Sequence, residues 1–169
     1  RATARGRDGA GTGGRIQGEA GGANGVYAGR RLLVRESAVG SAIQQHRYEL
    51  WAEPPEKMLR KTLVDHLRAQ YGAERVWTSE ARAPADYIVR GRLRAFEQLT
   101  QDATARALLS LDYVVTDAEG TVMAVVNYSE EVPAVSASVG DYVAALNRAL
   151  VHAYAAVDQR LAQLTSAKK

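Results

Sequence analysis

The sequence predicts an α+β fold: a mixed, mainly antiparallel sheet with a C-terminal three-strand meander and two amphipathic helices packed on it. Three observations predict it. From Tyr87 to Glu97 the residues alternate, so that one face carries Tyr87, Val89 and Leu93 and the other Arg90, Arg92 and Arg94. Two more extended stretches, about 103–116 and 121–132, follow across short polar connections, which is the pattern of a meander. Two segments of helical period, 55–71 and 138–164, each carry one apolar stripe that needs a sheet to cover it.

Taken in order, residues 1–30 hold ten of the fifteen glycines and few large apolar side chains. Such a segment buries too little surface to offset the entropy of ordering it, so a flexible, weakly basic arm is expected there. Within it, Gly9-Ala-Gly-Thr-Gly-Gly14 spells the dinucleotide fingerprint, but Arg-rich coil precedes it and more glycine follows, where a strand and a helix are required. A single globular domain is expected over 31–165, with a frayed tail over 166–169.

Arg31-Leu-Leu-Val-Arg-Glu36 reads as the first strand, bounded by Ser37 and Gly40, and Ile43 to Trp51 as a weaker second one. Pro54 and Pro55 then stop strand pairing, because they fix φ and remove two donors. Pro55 suits the first helical position, and Glu56 falls in the first turn, where the helix dipole favours a carboxylate. Leu59, Leu63, His66, Leu67 and Tyr71 form the buried stripe of this helix, and Gly72 is placed to end it in the left-handed conformation. Arg75 to Thr78 is a brief strand. The long strand to Glu97 is expected to end in a polar turn at Gln98–Asp102, and Asp117-Ala-Glu-Gly120 has the composition of a hairpin connection. Ser138, with Asp141 three residues on, is the N-cap of the last helix, and Thr165 to Lys169 should fray.

The net charge of +3 and pI near 9.3 invite a nucleic-acid reading, but the charge is unevenly placed. Residues 1–31 carry six arginines against Asp8 and Glu19, whereas the rest holds 16 basic and 17 acidic residues. A near-neutral fold offers no basic nucleic-acid face, so no nucleic-acid partner is expected. With no cysteine, the chain has no disulfide, zinc–thiolate site or cysteine nucleophile of its own. No apolar run approaches the ~18 residues that suggest a membrane helix, and no signal peptide is visible at the start.

Catalytic machinery is not legible. His46, His66 and His152 lie in three different elements, and none has a ligand partner at the i, i+4 spacing of a helical metal site. His66 reads as a hydrogen-bonded core histidine. There is no G-x-S-x-G elbow and no Walker A pattern. No catalytic residue, cofactor or metal is therefore expected. Arg90, Arg92 and Arg94, ~7 Å apart along one strand face, could bind phosphate or an acidic surface. The plainer reading is a solvated face with cross-strand pairing to residues such as Asp112.

Two groups of residues carry a family resemblance. Arg31-Leu-Leu-Val-Arg-Glu-Ser37 followed by Tyr48-Glu-Leu-Trp-Ala-Glu-Pro-Pro-Glu-Lys-Met-Leu59 is one, and Ala85-Asp-Tyr-Ile-Val-Arg-Gly-Arg-Leu-Arg-Ala-Phe-Glu97 is the other. Together, and over roughly residues 31–164, the sequence resembles the ABC-type transport auxiliary lipoprotein family. The resemblance implies a non-enzymatic periplasmic lipoprotein, anchored to the outer membrane by a lipidated cysteine that this chain does not contain. Its implied partners are an ABC permease complex and a mammalian-cell-entry (MCE) domain protein in intermembrane lipid transport, with a homo-oligomer also possible. The chain departs from the family pattern in its glycine-rich start, where a hydrophobic first strand is usual. The residues expected to matter, as contacts or as architecture, are Trp51, Pro54 and Pro55 at the corner and Arg90, Arg92 and Arg94 on the strand. Core packing is the plainer reading of Trp51.

Overall fold

A computed structural model describes residues 14–20, 25–36 and 42–167, apart from the side chains of residues 20, 46–48 and 167. Its strands are β1 (Ile16–Ala20), β2 (Arg31–Arg35), β3 (Gln44–Leu50), β4 (Val76–Thr78), β5 (Tyr87–Gln101), β6 (Thr104–Thr116) and β7 (Val122–Ala134). Helix α1 (Pro55–Tyr71) lies between β3 and β4, and α2 (Val139–Ala167) follows β7. The seven strands form one mixed sheet, and the expected α+β class and C-terminal meander hold.

The spine of the sheet is β5. One of its edges pairs antiparallel with β6 from Ile88 opposite Thr116 to Gln101 opposite Thr104. The other edge is divided between two short parallel strands. β1 takes the first part, from Ile16 opposite Tyr87 to Ala20 opposite Gly91, and β2 takes the later part at Gln98 and Leu99. β4 flanks β1, β3 flanks β2 and β7 flanks β6. Helix α1 packs on β1, β4 and β5, while α2 packs on β6 and β7, and one core runs beneath both.

The expected flexible arm does not hold for the described part of residues 1–30. β1 is an interior strand between β4 and β5, and Ile16 is buried. Composition misled because the ordering of β1 comes from backbone hydrogen bonds on both edges, not from its own apolar surface. The entry to β1 is also clamped: Arg15 donates its backbone N–H to Asp86 Oδ2 at 2.8 Å and accepts from the backbone N–H groups of Asp86 and Tyr87. Gly18 has a packing reason, since a Cβ there would lie 2.7 Å from Val64 Cγ2 on α1. The glycines at 9–13 of the fingerprint-like run lie outside the described residues.

Four further expectations change. β5 runs on to Gln101, past the polar turn expected at Gln98–Asp102, and the reversal is made by Asp102 and Ala103 alone, at φ 46° and 63°. A register shift between Leu93 and Ala95 inverts the alternation, and residues 96–99 are all buried because both faces are covered there, so Glu97 and Gln98 are core residues, not a strand end. Gly72 ends α1 with φ 94° and ψ 138°, a glycine conformation but not the left-handed helical one; its N–H still reaches Arg68 O at 3.0 Å. The last helix is regular to Ala167, with the Thr165 and Ser166 hydroxyls bonded to Ala162 O, so the expected fraying does not begin at Thr165. Its start is as expected: Asp141 N–H donates to Ser138 Oγ at 3.2 Å.

Gly18→Val forces α1 away from the sheet and is expected to cost about 1–3 kcal/mol, the usual range for overpacking. Urea denaturation followed by circular dichroism measures it; an unchanged midpoint would show that the close approach of α1 to β1 is not required.

Candidate functional site

The corner at Trp51 is built from both sides. Trp51 donates its backbone N–H to Arg30 O at 2.7 Å, and Arg30 Nε donates to Trp51 O at 2.8 Å. The half-buried indole packs at a tilt on Phe96 (5.1 Å between ring centres) and on Tyr142 of α2 (6.1 Å). Pro55 is buried at the first position of α1, and Pro54 O accepts from the N–H groups of Lys57 and Met58 at 2.9 and 3.2 Å. The corner therefore joins β3, β5, α1 and the start of α2.

Next to Phe96 lies a buried polar cluster. Glu97 is wholly buried, and its carboxylate accepts from Arg35 Nε at 2.7 Å, from Arg35 Nη2 at 3.0 Å and from the Tyr27 hydroxyl. Burial, followed by the bond to Glu97, pushes the Tyr27 phenol up, and the Glu97 bond also raises Arg35. Tyr142 is fully buried as well, and its hydroxyl has no hydrogen-bond partner among the described residues. Its phenol is raised by burial and then by the charges of Glu97 and Tyr27. Sequence reasoning did not single out Tyr27, Glu97 or Arg35 as a group. The signal was present, because Arg35 and Glu97 close two of the strand motifs that carry the family resemblance.

The arginine row is largely neutralised. Arg90 pairs with Glu19 of β1, and Arg94 Nη1 bonds Asp112 Oδ2 at 2.7 Å across the β5–β6 ladder. Arg92 stands directly opposite Asp112 in the register. Beside Arg94, a shallow hollow of about 320 Å³ is lined by Ser110, Asp112, Asn127 and Ser129. Arg90 and Arg94 are therefore held by acidic partners on the neighbouring strands, the cross-strand pairing to Asp112 among them.

The two helices meet through a second polar set. His66 Nε2 lies 2.6 Å from Asp158 Oδ2, and the His66 ring packs on Tyr154 at 5.1 Å. Thr62 bonds the Tyr154 hydroxyl, whose pKa is pushed up to about 12 by burial. His66 is hydrogen-bonded as expected, with a carboxylate supplied from α2, but it is only partly buried and so is not the core histidine expected. Nearby, an apolar cavity of about 20 Å³ between α1 and the sheet is lined by Leu59, Leu63, Leu93, Leu111 and Tyr113. It has room for roughly one water and no more. Among the described residues there is no group of three or more His, Cys, Asp or Glu side chains that could hold a metal ion.

The closing residues of two motifs meet in one ion pair, and the family model for the ABC-type transport auxiliary lipoprotein component matches residues 26–158. The chain belongs to this family. Two solved structures share the fold of this auxiliary component. The crystal structure of protein XCC0632 from Xanthomonas campestris, assigned to DUF330, is 21% identical with a TM-score of 0.70, over 90% of this chain and 85% of that one. An uncharacterized protein is 16% identical with a TM-score of 0.64, over 92% of each chain. No curated protein matches the sequence. The matched segment includes Tyr27, Arg35, the Trp51–Pro55 corner and Glu97, so the buried cluster lies wholly within the family domain.

Glu97→Ala leaves Arg35 facing a buried hole and is expected to cost about 3–5 kcal/mol, with Trp51→Ala costing about 2 kcal/mol, both read by chemical denaturation. A loss below 1 kcal/mol for Glu97→Ala, on the scale of an exposed pair, would contradict a structural role. A separate outcome concerns acid. Tyr128, and then His152, hold the Glu130 carboxyl below its usual value of 4.5. Its contribution is therefore complete above that value and is lost as pH falls through the lower folded-state value. Glu130→Gln should flatten the acid limb of a stability-versus-pH curve, and an unaltered limb would refute the assignment.

Proposed function

We propose that this protein is the non-enzymatic docking subunit of an envelope ABC transport system that moves lipid between membranes together with an MCE-domain protein. The single observation that carries this reading is the match to the auxiliary lipoprotein family across residues 26–158. The site geometry supports it. The strongest polar clusters, Glu97 with Arg35 and Tyr27, and His66 with Asp158, are spent on joining elements to one another. The enclosed cavity between α1 and the sheet is too small for a substrate, and the larger hollow of about 420 Å³ beside α1 is an open one lined mainly by charged side chains. A rigid platform of this kind acts by presenting a surface.

In this reading the domain sits on the periplasmic side of the outer membrane, held by a lipid on a cysteine outside the sequence described. The permease complex and the MCE-domain protein are its partners. Trp51, Pro54 and Pro55 serve by fixing the α1 corner, and the face carrying Arg90, Arg92 and Arg94 is available for contact.

Purification of the full-length protein from its native membranes tests the proposal. An ABC permease and an MCE-domain protein should co-purify, and mass spectrometry should find a lipidated N-terminal cysteine. Recovery of the protein without either partner, under conditions that keep the permease assembled, would overturn it.

A further inference from the structure

We infer that the first half of β7 is a self-association edge, which pairs antiparallel with β7 of a second copy of this chain. The inference rests on the surface of β7 and stands apart from the transport reading.

Among the described residues β7 pairs with β6 only, so its other edge presents unpaired backbone groups. The two halves of that edge differ. Over 130–133 it is occupied: Arg148 Nη2 donates to Pro133 O at 2.6 Å, Pro133 itself has no N–H, and His152 Nδ1 lies 2.9 Å from Glu130 Oε2. Glu131 is paired with Arg106 as well. These are the devices that keep a strand edge from pairing.

The half over 122–129 carries no proline, charge or α2 hydrogen bond on its edge, and its one irregularity is the register shift at Met123, before the regular run from Ala124. Its sequence from Thr121 to Ser129 is uncharged, and it exposes Val122 (57%), Met123 (39%) and Val125 (45%). Val125 lies opposite Val114 of β6 on the sheet face that α2 leaves bare, so the apolar surface extends onto the next strand. An uncharged, apolar strand is suited to its own copy, because antiparallel pairing about a two-fold axis at Val125 brings no like charges together. It sets Val125 against its mate and Ala124 against Val126, within the regular run that begins after the register shift at Met123.

Helix α2 leaves room for this. Arg148 and His152 fix the flank of α2 that faces β7, and by the same spacing it continues through Ala156 and Gln159 to Arg160, whose guanidinium is bonded to Gln163 Oε1 at 2.9 Å. With strands ~4.8 Å apart and α2 seated over the β6–β7 pair, the two α2 helices would run about 10 Å apart, an ordinary helix-packing distance. The occupant the surface fits is therefore a second copy, joined through a sheet continuous across the axis.

Sedimentation velocity of the soluble domain from about 1 to 100 µM should show a monomer–dimer equilibrium in that range. Val125→Lys, which sets two lysines against each other at the axis, should weaken dimerisation at least tenfold while leaving the circular dichroism spectrum unchanged. Because the chain contains no cysteine, Val125→Cys provides a second reading that does not depend on stability. Under mild oxidant it should form a disulfide-linked dimer, whereas Ser129→Cys, ~27 Å from its mate in this register, should not. A monomer at every concentration would overturn the inference. So would a Ser129→Cys variant that cross-links as readily as Val125→Cys.

Discussion

A carboxylate buried in the middle of the longest stretch of paired chain constrains everything around it. Glu97 is wholly removed from water, and a charge in that position is tolerated only if its oxygens are satisfied by partners that are themselves held in place. Arg35 supplies two donors from β2 and Tyr27 supplies a third from the short turn between β1 and β2. The register of β2 on β5, with Arg35 opposite Leu99, places the guanidinium two positions along the ladder from the carboxylate. Loss of the pair would not merely remove a contact; it would leave a buried charge unmatched. The glycine-rich start of the chain is thereby tied to the centre of the sheet.

The Trp51 corner depends on the same region. Its indole packs on Phe96, the neighbour of Glu97, and on Tyr142 in the first turn of α2. Two rigid prolines set where α1 departs, but the direction is useful only because the tryptophan already has a seat between β5 and α2. Further along, Thr62 with Tyr154 and His66 with Asp158 connect the two helices side by side. Polar groups therefore join α1 to α2 along its middle, while apolar contacts with β1, β4 and β5 fill its other side. Such an arrangement ties both helices to one sheet and to each other, which suits the docking role proposed above.

Those surfaces are of distinct kinds. The face with Arg90 and Arg94 is charged but internally balanced by Glu19 and Asp112, which favours solvation over anion capture. The edge of β7 is divided into a blocked half and an open apolar half. The difference lies in a few side chains from α2, which shows how a helix packed on one face of a sheet can also control its edge.

The sequence by itself determined what local pattern can determine. Alternation from Tyr87 to Glu97 marked β5, the Pro54-Pro55 pair marked the start of α1, and Ser138 marked the start of α2, because each depends on residues within a few positions. The ordered motifs were enough to recognise the family. Tertiary structure alone decided the rest. β1 carries little apolar surface, so nothing local distinguished it from coil; its order comes from β4 and β5, which lie far along the chain. Glu97 and Gln98 read as the polar end of a strand, since what covers them, Arg35 and Tyr27 at Glu97 and Ala137 O at Gln98, comes from distant segments. Asp158 could not be assigned to His66 for the same reason, as they lie 92 residues apart and meet only when two helices share one sheet. Short-range chemistry is written in the order of residues, whereas the burial of a charge or a glycine is set by whatever the fold places against it.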